Sequence, residues 1–153
     1  MATIGVISFI STLSLLVFLT YRFIFWRRYY KRPLFENQYV VLIYNLLLAD
    51  VQQATAFLLA WYWEANGKVV HHTAACYLQG WWIQTADPGS GLFVLAIAVH
   101  TAAVVLRGKQ LKHRAFLSCI IGLWAFIFAL GIIPLAMYGS KAFVISESGW
   151  VSC

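Results

Sequence analysis

Charge is what this chain has least of. Only 10% of its 153 residues are Asp, Glu, Lys or Arg, and five acids stand against eleven bases. Soluble domains carry about 25% charged residues, so a soluble globular domain is excluded. Three scattered cysteines with no C-x-x-C pair exclude a disulfide scaffold and a redox dithiol. No P-loop, Gly-rich dinucleotide fingerprint or Ser-His-Asp pattern is present, and no Asn-x-Ser/Thr glycosylation acceptor. What is there is apolar: 62% of the residues are hydrophobic and 17% aromatic. A formal charge of +6 invites nucleic acid as a partner, but the bases are confined to short loops between apolar runs. No basic face remains to bind phosphates, so membrane lipid replaces nucleic acid as the expected surrounding.

The apolar runs predict an all-α, multi-pass transmembrane bundle, a single membrane domain over 1–153. Its four helices are expected at about 3–25, 37–63, 74–106 and 115–138. A hydrocarbon core of ~30 Å takes roughly 20 helical residues. Positive charge follows the first run instead of preceding it, so a retained helix is expected in place of a cleaved leader. The connections at 26–36 and 107–114 hold eight Lys and Arg, nine with Arg22 just ahead of the first, whereas the 64–73 loop and the 139–153 tail hold only Lys68 and Lys141. The five assigned to the first connection include Arg22, which snorkels from the end of the first run. By the positive-inside rule the basic loops lie in the cytoplasm and the N-terminus lies outside. The basic, aromatic loop from Trp26 to Pro33 reads as a membrane-surface anchor or as a lipid or G-protein site.

Polar residues inside the runs carry the functional signal. Asp50 lies eleven residues from Tyr39, about 16 Å into its helix and near mid-bilayer. A carboxylate there costs at least ~2.5 kcal/mol and is expected to face the bundle interior. Gln53 shares its face, while Asn45 lies some way round the helix. The third run is long and interrupted by Asp87-Pro88-Gly89-Ser90-Gly91. Pro88 removes a backbone hydrogen bond and the glycines weaken the helix further. Asp87 reads as a second buried acid beside this break, either in a ligand or ion cavity or as a protonated acid bonded to nearby backbone. The adjacent pair His71-His72 points to two faces and has no evident third ligand, so no metal is assigned. Cys76 and Cys153 share the outer face, where a bridge is feasible; Cys119 reads as a small core residue.

Several stretches in one order resemble the first four helices of a seven-helix G-protein-coupled receptor. They are Asn45-Leu-Leu-Leu-Ala-Asp50, Cys76 at the head of the third helix, and Trp124 followed by Pro134. Ala49-Asp50-Val51-Gln52-Gln53, Leu78-Gln79-Gly80-Trp81-Trp82 and Leu95-Ala96-Ile97-Ala98-Val99-His100-Thr101 resemble the fungal glucose- or carbon-sensing receptors, relatives of the slime-mould cyclic-AMP receptors. The resemblance implies that Asp50, with Asn45, is the internal switch or ion site, and that Cys76 pairs with Cys153. It further implies a small polar ligand held by Asp87, Gln84 and Gln79, and a heterotrimeric G protein as partner at the plasma membrane. No catalytic residue or cofactor follows from it.

Two departures matter. The acid-Arg-aromatic triplet of rhodopsin-like receptors is replaced by His100-Thr101-Ala102. His100 either takes part in the latch, by titrating or bonding a neighbouring helix, or is a satisfied core histidine. The first helix also lacks the buried Asn that accompanies the second-helix acid in that class. Because such receptors need three further helices, the chain is expected to be a fragment or a truncated product. Two other readings are a structural four-span protein and a four-helix membrane oxidoreductase or transferase. The former is opposed by short outer loops, the latter by the lack of a redox cysteine pair.

Overall fold

In lipid every backbone polar group must be satisfied within its own segment, so uninterrupted apolar sequence folds as helix. The computed structural model describes residues 2–29, 33–66 and 73–139. It contains α1 (Ala2–Ile24), α2 (Trp26–Tyr29), α3 (Gln38–Asn66), α4 (Ala74–Arg107) and α5 (His113–Tyr138), with a 3-10 turn at Leu34–Glu36 before α3. Among the described residues there is no strand. The long helices α1, α3, α4 and α5 are each long and apolar enough to cross a membrane. The chain is a membrane-spanning all-α protein. His71, His72 and Cys153 lie outside the described residues.

Local chemistry sets the helix ends. The Thr73 hydroxyl caps α4 by accepting from the Cys76 N–H at 3.4 Å. At the other end Gly108 turns left-handed (φ 64°) and returns its N–H to the Val104 carbonyl at 2.8 Å. The helix α3 continues past Trp63 to Asn66, because nothing in Glu64-Ala65-Asn66 breaks it.

The expected interruption at Asp87–Gly91 is corrected: α4 runs unbroken through Pro88 for 34 residues. At ~1.5 Å per residue that is about 51 Å, well beyond a ~30 Å hydrocarbon core, so the helix tilts or protrudes. Pro88 still leaves the Gln84 carbonyl without its usual N–H partner. Gly89 is buried against Ala49 of α3 and Ile127 of α5, and a methyl group there would sit 3.5–3.6 Å from them. Such small residues let helices approach closely in membranes. Gly131 of α5 is tighter still: a Cβ would fall 2.6 Å from the Thr85 methyl of α4.

The helix α3 packs against both α1 and α4, and α4 packs against α5. The core forms where α3, α4 and α5 meet, around Leu42, Ala49, Phe93, Phe116, Ile120 and Ile127. By contrast α1 lies at the edge, with Ile7, Val17 and Phe18 turned outward.

Candidate functional site

Polar side chains of α3 meet partners at successive levels. Near its C-terminal end Trp63 Nε1 donates to Gln79 Oε1 at 2.9 Å, and Gln79 Nε2 donates to the Ala56 carbonyl at 3.4 Å. At mid-helix Ser90 Oγ donates to Asp50 Oδ1 at 2.7 Å. One turn away, the Gln53 carboxamide lies near the Asp87 carboxylate. Toward the N-terminal end Trp124 Nε1 of α5 donates to Asn45 Oδ1 at 2.7 Å, while Asn45 Nδ2 donates to the Val41 carbonyl at 2.8 Å. The Thr20 and Tyr44 hydroxyls, 3.2 Å apart, link α1 to α3. Finally Gln38 Nε2 donates to the Leu111 carbonyl at 2.6 Å, beside the 107–114 loop.

This ladder separates residues that the sequence grouped. Asp50 and Asn45 occur on one helix but serve different neighbours, Asp50 tied to α4 and Asn45 to α5. Of the three expected ligand contacts, Gln79 is fully buried, and both ends of its carboxamide are engaged within the protein. It ties α3 to α4 and is no wall of an open pocket. Gln84 and Asp87 are exposed on α4, so the reading of Asp87 as a buried acid is corrected. The cause is angular: eight residues at ~100° each place Asp87 about 80° round the helix from Gln79.

Asp50 also borders a cavity of about 330 Å³ between α1 and α3, lined by Gly5, Ser8, Thr12, Gln53 and Phe57 among others. The Thr12 hydroxyl donates to the Ser8 carbonyl at 2.7 Å, so its proton is already engaged within α1. Among the described residues, no group of three or more His, Cys, Asp or Glu side chains could hold a metal ion.

At the basic-loop end His100 is 4% exposed and lies between the rings of Tyr39 and Phe116, with centroids 4.9 and 5.7 Å away. Neither of its ring nitrogens has a hydrogen-bond partner among the described residues, and nor does Gln38 Oε1. It is thus a core histidine by burial, yet not a satisfied one. Thr101 is exposed and returns its hydroxyl to the Ile97 carbonyl at 2.7 Å. Cys76 is buried and is not a free thiol; its expected partner Cys153 lies outside the described residues. Cys119 is free and exposed, which corrects its reading as a core residue.

Sequence reasoning missed Ser90, Ser8 and Thr12 as polar neighbours of Asp50. The signal was present for the α1 pair, since hydroxyls four residues apart share a helix face. Ser90 was hidden inside a run read only as a helix breaker.

Neither the comparison with curated proteins nor that with solved structures gives a match. The family comparison does, across residues 1–153, and its description is Git3, the G protein-coupled glucose receptor regulating Gpa2. With four spanning helices laced through α3 and a match over its whole length, the chain belongs to this family of G protein-coupled receptors.

Proposed function

We propose that the chain forms part of a sugar- or nutrient-sensing receptor at the plasma membrane, N-terminus outside. It passes the binding of a small polar molecule to a heterotrimeric G protein on the cytoplasmic side. The family's description names glucose and Gpa2, which makes a hexose the proposed ligand and a Gα subunit of that kind the proposed partner. The positive-inside count supports the orientation. In this orientation Cys76 opens α4 at the outer, oxidising face, where a bridge to Cys153 is proposed.

The observation that carries this reading is the bond from Ser90 to Asp50, next to Pro88. An acid at mid-membrane depth is costly and needs a partner. Here the partner sits on a helix that lacks a backbone hydrogen bond within the same turn. Such a pairing has two available arrangements, bonded and released. A ligand shifts them only by binding one better than the other. Asp50 is the proposed switch, while His100 and Thr101 lie at the end of α4 that faces the G protein.

The test is glucose-dependent nucleotide exchange on the G protein in cells that express the receptor. Asp50→Asn is expected to abolish or lock the response without loss of surface expression. An unaltered dose–response curve would remove Asp50 from the mechanism.

A further inference from the structure

We propose that the cleft between α1 and α3 is the sugar site, seating one hexose-sized polyol against Ser8, Thr12, Asp50, Gln53 and Phe57. The proposal rests on the sugar-sensing reading above, and moves the ligand from the exposed face of α4 to the opposite side of Asp50.

The volume suits a monosaccharide. At about 330 Å³ the cleft stands at the small end of ligand pockets, which run from ~300 to 1,000 Å³. Its chemistry suits one as well. A carboxylate offers acceptors only, a carboxamide both donors and acceptors, the Ser8 hydroxyl a donor and acceptors, and the Thr12 hydroxyl, its proton given to the Ser8 carbonyl, acceptors only. Ranged around one cavity, they match a ligand whose every carbon bears a hydroxyl. Phe57 supplies an apolar wall for the C–H face of a sugar ring. Gly5 keeps the α1 side bare; a side chain there would begin 3.7 Å from Phe57 Cβ and grow into the space. The Asp50 carboxylate is engaged through Oδ1 by Ser90, and the same carboxyl group borders the cleft. Polar groups held at membrane depth need partners, and a polyol provides them.

The cleft is wired to the weak point of α4. Asp50 and Gln53 stand three residues apart on α3; Ser90 of α4 bonds Asp50, and Asp87, three residues before it, lies near Gln53. Pro88 and Gly89 lie between those partners. A polyol that draws Asp50 and Gln53 toward α1 competes with the Ser90 bond and parts Gln53 from Asp87. It thereby frees α4 on either side of the residue where its backbone bonding is already incomplete. Sugar binding and helix movement become one event.

The experiment measures D-glucose binding to the full receptor in lipid nanodiscs by isothermal calorimetry, with thermal unfolding checked for each variant. Gln53→Leu, the pair Ser8→Ala with Thr12→Val, and Gly5→Val each alter the cleft in a different way. Each is expected to weaken glucose binding by about ten-fold or more, since a site built for hydroxyls discriminates through them. Gln84→Leu, on the exposed face of α4, is expected to leave affinity unchanged. Should Gly5→Val fail to fold, the two polar replacements carry the test. Wild-type affinity in the cleft variants overturns the site and leaves the sugar-receptor reading standing. Absence of glucose binding by the unaltered receptor overturns the sugar ligand and the site together.

Discussion

Ser90 donates its hydroxyl hydrogen to Asp50 Oδ1 at 2.7 Å across 40 residues of sequence, joining α4 to α3 two residues beyond Pro88. Both groups lie within long apolar helices. Interhelical hydrogen bonds of this kind are nonetheless modest, about 0.6 kcal/mol on average and ~1.7 at most. A double-mutant cycle combining Asp50→Ala with Ser90→Ala is expected to give a coupling in that range by unfolding in detergent. Additive single effects would mean that the two residues act independently.

Gly131 and Gly122 make a matched pair on α5. A Cβ at Gly131 would fall 2.6 Å from the Thr85 methyl and 3.1 Å from the Trp81 ring, whereas one at Gly122 meets nothing within 4 Å. Gly131→Ala is therefore expected to push α5 off α4 and lower stability by about 1–3 kcal/mol, as overpacking does. Gly122→Ala is expected to leave stability unchanged or raise it by up to ~1 kcal/mol through helix propensity. Equal melting temperatures for the two variants would contradict the close crossing.

The link from Trp124 to Asn45 has two ends of unequal consequence. Trp124→Phe removes the indole N–H but keeps a ring near Phe93, now 5.3 Å away between centroids. Asn45→Ala leaves the N–H without its acceptor, and an unmet buried polar group costs about 1–3 kcal/mol. Thermal unfolding is expected to place Asn45→Ala below Trp124→Phe. The reverse order would show that ring volume, not the hydrogen bond, dominates this contact.

His100→Phe is expected to hold or raise the melting temperature. The imidazole is enclosed by Tyr39 and Phe116, and neither of its nitrogens has a hydrogen-bond partner among the described residues. Exchanging an unbonded polar ring for an apolar one of similar shape removes a desolvation cost. A marked fall in melting temperature would reveal a polar partner for His100.

The spanning helices are legible because four long apolar runs have few other ways to fold at membrane depth. Asp50 is legible for a related reason: an acid in such a run must meet a partner. The direction of the remaining polar residues is not legible. These helices are apolar nearly all round, so no stripe separates an inward face from an outward one. Gln79 and Gln84 look equivalent in sequence, but five residues turn the helix by ~140° net, and one is buried while the other is exposed. Ser90 is illegible as a partner because hydroxyls bond their own helix cheaply, as Thr85 does to the Trp81 carbonyl. Pro88 misleads in the opposite sense. Its local propensity argues for a break, and the fit of Gly89 between Ala49 and Ile127 overrides it.

The ladder on α3 bears on how the chain enters the bilayer during synthesis. Of the four spans α3 has the lowest mean hydropathy, 1.4 against 1.8, 2.1 and 2.5. It packs against the spans on both sides of it in sequence, α1 and α4. Its acceptors at Asp50 and Asn45 receive hydrogen bonds from Ser90 and Trp124, which the ribosome delivers 40 and 79 residues later. Released alone into lipid, α3 would face hydrocarbon with those groups unmet. Arrival of α4 is therefore expected to relieve Asp50, and that of α5 to relieve Asn45.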